Sequence, residues 1–153
     1  MEFAHISEGK ARMVDISEKV EVPRIAVAEG IIKLKKKTIE AIMRNEVVKG
    51  NVLAAANIAG VIAVKKTSEL IPMCHQIPIN SAEFKFEIEE NSIRVFCTVK
   101  SKSKTGVEME ALTGVSIALL TIWDMVKSLE KDESGNYPET SIEKIVLLKK
   151  IKG

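Results

Sequence analysis

Aromatic residues are scarce in this chain: one Trp, one Tyr and four Phe make up 4% of its 153 residues. Its core must therefore come from Ile, Val, Leu, Ala and Met. A nucleic-acid platform built on base stacking has only Phe84, Phe86 and Phe96 to draw on, with no basic-aromatic motif around them. Two cysteines, Cys74 and Cys97, are too few for a disulfide scaffold, and with two histidines at no ligand spacing they make no zinc cluster. No metal site is expected. No run of about 18 uninterrupted apolar residues exists, so no membrane span is expected. Met1-Glu2-Phe3-Ala4-His5 lacks the basic region and apolar run of a signal peptide, which makes the reducing cytoplasm the expected location. Neither a Gly-rich phosphate loop nor a dinucleotide fingerprint occurs. A large charge of one sign is also missing: 23 Lys+Arg face 21 Asp+Glu, net +2. That balance argues against nucleic acid as a default partner, while leaving room for a local basic pocket.

What is present is ordinary for a globular domain, 46% hydrophobic and 29% charged. A chain of this size buries roughly 70% of its unfolded surface. Residues 1–21 are polar and form an expected N-terminal arm, partly mobile, ahead of a single domain over 22–153. Loose alternation predicts a strand over 23–34, and Ile39, Ile42, Met43 and Val47 a short helix over 38–47. Asn51 is a suitable cap for a second helix over 52–70, rich in small residues, that invites close approach of a sheet or a partner subunit. Pro72 and Pro78 bracket Met73-Cys74-His75-Gln76-Ile77, which cannot continue that helix. Strict alternation over 82–89 and 93–99, joined at Glu90-Asn91-Ser92, predicts an antiparallel hairpin. A long buried helix follows over 105–131, then a polar loop and a closing strand over 141–151. The order argues α+β, ferredoxin-like, with helices packed on one face of a mostly antiparallel sheet.

Polar residues on helix faces that should be buried are the informative ones. Glu110, Thr121 and Asp124 fall within roughly 60° of one another around the long helix. Lys127 follows Asp124 by one turn. The stripe is either a pocket lining with Asp124 and Lys127 placed for proton transfer, or a surface salt bridge. Thr105-Gly106-Val107-Glu108 matches a capping box, and Glu108 and Glu110, two apart, do not share a helix face. For both to reach one site, the helix must begin irregularly or two subunits must contribute. Lys49, beside a helix start, is either a phosphate ligand or solvated. Lys65-Lys66 favours the dipole at its helix end, and Lys35-Lys36-Lys37 reads as a solvated face. Adjacent side chains in extended chain point apart, which argues against a Cys74–His75 dyad. A histidine held between prolines suits hydrogen bonding or acid–base work.

Six blocks resemble one family: Met13-Val14-Asp15-Ile16-Ser17, Lys49-Gly50-Asn51-Val52, Ile58-Ala59-Gly60, Leu70-Ile71-Pro72-Met73-Cys74-His75, Thr105-Gly106-Val107-Glu108-Met109-Glu110-Ala111-Leu112-Thr113, and Leu120-Thr121-Ile122-Trp123-Asp124-Met125. Together they are similar to the cyclic pyranopterin monophosphate synthases of molybdenum cofactor biosynthesis. The resemblance implies a ferredoxin-like fold and a small-molecule substrate, a cyclic dihydro-GTP, converted to cyclic pyranopterin monophosphate with release of pyrophosphate. It implies no required cofactor, with a divalent cation possible beside the triphosphate. It further implies a homohexamer, a trimer of dimers, with sites at the dimer interface. By the same resemblance Asp124, Lys127 and Lys49 are catalytic, and Met73, Cys74, His75, Met109, Glu110, Glu108, Arg24 and Lys65 bind substrate. Gln76, Asn51 and Asn57 depart from the family pattern. So does the tail Lys149-Lys150-Ile151-Lys152-Gly153, from which no lysine is carried over. The competing reading is a ferredoxin-like nucleotide- or RNA-binding module without catalysis, and a third is a purely structural oligomer.

Overall fold

The computed structural model describes residues 6, 7 and 9–153; the part of the expected mobile arm formed by residues 1–5 and 8 lies outside the described residues. The fold is α+β and ferredoxin-like. A two-residue ladder joins β1 (Ile6–Ser7) to β2 (Lys10–Ala11). The body runs β3 (Val22–Lys33), α1 (Lys36–Met43), α2 (Val52–Lys65), α3 (Thr67–Leu70), β4 (Ser81–Ile88), β5 (Ser92–Ser103), α4 (Glu108–Glu130) and β6 (Ser141–Lys152). The four long strands form an antiparallel sheet in the order β4-β5-β3-β6.

Alternation builds the core. Ala26, Ala28 and Ile32 of β3 and Ile93, Val95, Cys97 and Val99 of β5 point to one face of the sheet and are buried. Onto them α4 lays Ala111, Val115, Ala118, Leu119, Ile122 and Val126. The fit is close because β3 offers small residues where the helix crosses. A Cβ at Gly30 would come within 2.6 Å of Leu119 and 2.7 Å of Val115, so only glycine lets α4 lie this near. Of all the helices, α4 alone is long and apolar enough, among the described residues, to cross a bilayer; here that apolar surface is the core. The small-residue helix α2 runs antiparallel to α4. Its Lys49 end reaches Asp124, and Val64 at its other end abuts Gly114.

Several boundaries differ from the sequence reading; β5 runs on to Ser103 and α1 stops at Met43. The helix expected over 52–70 breaks at Lys66, because the Thr67 hydroxyl donates to the carbonyls of Ala63 and Val64 and starts a separate turn. Helix α1 begins at Lys36, earlier than the periodicity predicted. Helix α4 begins at Glu108 with Val107 at its N-cap and no side-chain cap, so Thr105 does not form the capping box.

A buried carboxylate explains the early start of α1. Glu130, the last residue of α4, is 0% exposed. It accepts from the backbone amide of Lys35 at 3.1 Å, from the Thr38 hydroxyl, and from the Thr140 hydroxyl at 2.7 Å. One side chain thus caps α1, closes α4 and anchors the entry to β6. Glu130→Ala leaves two buried hydroxyls and the half-buried Lys35 amide without an acceptor and should cost about 3 kcal/mol or more. The expected signature is a lower denaturant midpoint with an unchanged slope. An unshifted midpoint would contradict this role.

Candidate active site

The candidate residues fall into two separate constellations. The first sits where α2 begins. Gly50 has φ +110, a backbone conformation that L side chains rarely adopt, and with Asn51 capping Ala54 at 2.9 Å it swings the chain into α2. That turn holds Lys49 against the last turns of α4. The Lys49 ammonium donates to Asp124 Oδ2 at 2.9 Å and to the Asp124 carbonyl at 3.2 Å. Lys127 meets the other oxygen, Oδ1, at 3.0 Å. Each carboxylate oxygen therefore holds one ammonium. Lys49 first and Lys127 second hold the Asp124 carboxyl below its ordinary range. In return the hydrogen bond to Asp124 raises the Lys127 ammonium pKa, which favours its charged form. All three groups are about half exposed.

The second constellation sits at the opposite end of α4. The turn after α3 and the first turn of α4 enclose a cavity of about 390 Å³, lined among others by Met73, Cys74, His75, Met109, Glu110 and Glu108. All six were assigned to substrate binding. The N-terminal segment adds Val14 and Ile16 as a wall. The Val14 carbonyl lies 2.6 Å from His75 Nε2. A carbonyl only accepts, so Nε2 carries the hydrogen of this contact. Burial, and then the Glu110 charge, push the Cys74 thiol up. Glu110 is 4% exposed. Its pKa is raised by burial and by Glu108, against the pull of its own backbone amide. Burial also works against ionisation of Glu108, but its backbone amide, Lys150 at 3.0 Å and Arg24 outweigh it and hold this carboxyl low. Two neighbouring glutamates thus have opposite proton preferences, the arrangement expected of an acid–base pair.

Several expectations need correction. Cys74 and His75 line the same cavity, because residues 71–74 form a turn closed by Cys74 N–H to Ile71 O at 3.0 Å, and the alternation of extended chain does not apply. Glu108 and Glu110 reach one cavity within one chain, by the first of the two routes expected for them. The helix begins irregularly and Glu108 folds back over Gly106, where any Cβ would collide with its carboxylate. The stripe of Glu110, Thr121 and Asp124 is not one site: Thr121 donates to the Ile117 carbonyl of its own helix at 2.7 Å. Fourteen residues at 1.5 Å each put Glu110 and Asp124 about 21 Å apart along α4.

A neighbouring cavity of about 420 Å³ is lined by Arg24 and Glu108, and also by Lys19, Lys150 and Lys152, which the sequence reading passed over. Pairing of β6 with β3 out to Lys152 is what brings the tail lysines there. The signal available was the alternation of that tail. Lys65 ends α2 at this same end of the molecule but lines neither cavity. Among the described residues, no group of three His, Cys, Asp or Glu is placed to hold a metal ion.

The model of the MoaC family matches residues 13–153, which takes in every residue of both constellations. The chain belongs to the MoaC family. It is 72% identical over 153 residues to a protein of Archaeoglobus fulgidus named probable cyclic pyranopterin monophosphate synthase, covering 100% of this chain and 98% of that one. Proteins of the same name from Methanococcoides burtonii and Pyrococcus furiosus are 58% and 54% identical, each over 99% of this chain and over 95% and 97% of their own lengths.

The depressed carboxyl at Asp124 makes a signed prediction. Its links to the two lysines are fully present above its usual 3.8 and are lost as pH falls through the lower folded-state value. Replacing either lysine by Met should raise the Asp124 titration midpoint, Lys49→Met more than Lys127→Met, as followed by carboxyl-carbon NMR. No upward shift in either variant would contradict the bridged geometry.

Proposed function

We propose that this chain is a cyclic pyranopterin monophosphate synthase, converting 3',8-cyclo-7,8-dihydro-GTP to cyclic pyranopterin monophosphate with release of pyrophosphate in molybdenum cofactor biosynthesis. Membership of the MoaC family and the names of its relatives support the activity. The observation that carries the mechanism is the Asp124 carboxylate held between Lys49 and Lys127. The rearrangement opens and recloses rings without net redox change, so positioned acids and bases suffice and no resident cofactor is needed; a divalent cation can accompany the triphosphate. Lys127 and Lys49 move protons, Asp124 orients them, and Cys74, His75 and Glu110 wall the ring end of the substrate, with Arg24 and Lys65 toward the phosphates.

A separation of about 21 Å within one chain is too long for both constellations to touch one nucleotide. In the reading we favour, Lys49, Asp124 and Lys127 of one copy complete the Cys74–His75–Glu110 cavity of another, in a homohexamer built as a trimer of dimers. An apolar face on α2 and α4 supports assembly: Ile58 is 63% exposed, Ile62 47% and Leu120 53%. The cytoplasm is the proposed location. The RNA-binding alternative is not favoured. Phe84 and Phe86 pack against the core, which leaves Phe96, under the Lys85 ammonium, as the one phenylalanine of the three not packed there.

Asp124→Ala and Glu110→Gln should each lower pyrophosphate release from the cyclic dihydro-GTP at least about 100-fold, the scale of a lost acid–base group. Co-assembled from mixed chains, the two inactive variants should recover turnover, because some sites then draw an intact half from each. Turnover within a few-fold of wild type in either variant would remove its assigned role. Absence of recovery would place both halves of a site in one chain.

A further inference from the structure

The loop between α4 and β6 turns one side chain inward. From Lys131 to Glu139 every residue is exposed except Tyr137, which is half-buried. Asp132 fastens the start of the loop. Its Oδ1 accepts from the amides of Ser134 and Asn136, both at 2.9 Å, and from the Ser134 hydroxyl at 2.7 Å. Its own amide donates to the Asn136 carbonyl at 2.8 Å. Pro138 fixes the backbone just beyond Tyr137, and the Thr140 hydroxyl ties the far end to buried Glu130 at 2.7 Å. A loop fastened at both ends presents its one inward side chain in one place.

That place is beside Lys127. The Tyr137 ring meets Trp123 edge to face with centroids 5.4 Å apart, and the Lys131 ammonium lies 6.0 Å from the Tyr137 centroid. Trp123 and Lys127, four residues apart, share a face of α4, and Lys131 follows one turn later at its C-cap. A ring that reaches the first and the last of these three spans the second. Asp124 foremost, and then Tyr137, favour the charged form of the Lys127 ammonium, as expected of a phenol at close range. None of the six family-like sequence blocks contains Tyr137.

The side chains of Asp124, Lys49 and Lys127 are 57%, 45% and 46% exposed. An ion pair this wet is ordinarily loose, and a lysine on its flexible stem leaves its partner readily. We propose that Tyr137 is a positioning residue: its ring walls one side of the Lys127 side chain, removes the rotamers that swing away, and keeps the ammonium on Asp124 Oδ1. The ring does this, and the hydroxyl passes no proton. This role deepens the functional reading above and rests on it, because that reading gives Lys127 its part in moving protons.

Three variants of the full chain test the role. Tyr137→Leu should lower kcat about tenfold with KM little changed, as when a catalytic group is misplaced rather than removed. Without substrate, its Asp124 titration midpoint, followed by carboxyl-carbon NMR, should rise part of the way toward the value in Lys127→Met. Tyr137→Phe keeps the ring and should restore both readouts. Asp132→Ala loosens the loop without touching the ring and should move both in the Tyr137→Leu direction by less; it carries the test should Tyr137→Leu not fold. Trp123 is the only tryptophan, so near-ultraviolet circular dichroism shows in each variant whether the ring contact is kept. An unchanged kcat and Asp124 midpoint in a folded variant that has lost the contact, or losses in Tyr137→Phe equal to those in Tyr137→Leu, would overturn the proposal. Wild type that releases no pyrophosphate from the cyclic dihydro-GTP would overturn the functional reading, and the substrate-free Asp124 titration would still decide what holds Lys127.

Discussion

A single helix sets the distances in this protein. Helix α4 is 23 residues long, pressed onto the sheet by the absence of a side chain at Gly30, and it is stiff because its inner face is core throughout. Whatever its two ends carry is held apart by the rise of an α-helix, which side-chain adjustment cannot shorten. At one end stand Glu108 and Glu110, at the other Asp124 and Lys127. The location of every candidate catalytic or binding group follows from how the remaining elements meet these two ends.

The two ends are also electrostatic opposites. At the C-terminal end two ammonium groups stabilise one carboxylate in partly exposed surroundings, and the result is a fixed charge pattern. At the N-terminal end two carboxyl groups compete: proximity and burial leave Glu110 inclined to hold a proton while Lys150 and Arg24 keep Glu108 ionised. The low polarity behind this pair comes from Met73, Met109 and Ile16, which is work that a chain poor in aromatics gives to flexible and branched aliphatics.

Much of this was legible in the residues. Alternation located β3, β4 and β5, a run of Ile, Val and Leu located β6, whose residues are half-buried or exposed, and Asn51 marked its helix start because the capping bond is local. The Lys49–Asp124–Lys127 cluster was expected only by resemblance: spacing along a helix relates Asp124 to Lys127 but says nothing of a lysine 75 residues away. What escaped the sequence was non-local or irregular. Glu130 looks like any helix-terminal glutamate until three donors from α1 and the β6 entry converge on it. The joint reach of Glu108 and Glu110 depends on a glycine permitting a side chain to fold backward, which no periodicity encodes. Lys150 and Lys152 depend on strand register across more than a hundred residues.

The outer strand β6 is bent twice against β3, with register shifts between Val27 and Ala28 and between Glu29 and Ile31, and Lys144 sits at φ 54 beside the second. An unpaired edge that carries Ile145, Leu147 and Ile151 would otherwise be an adhesive ribbon, open to endless sideways growth. Kinks break the flat comb of amides that such stacking needs, and the lysines between the apolar residues add mutual repulsion. Any neighbour that mates with this rim must reproduce its bends, a demand that a complementary fold can meet and a passing extended peptide cannot.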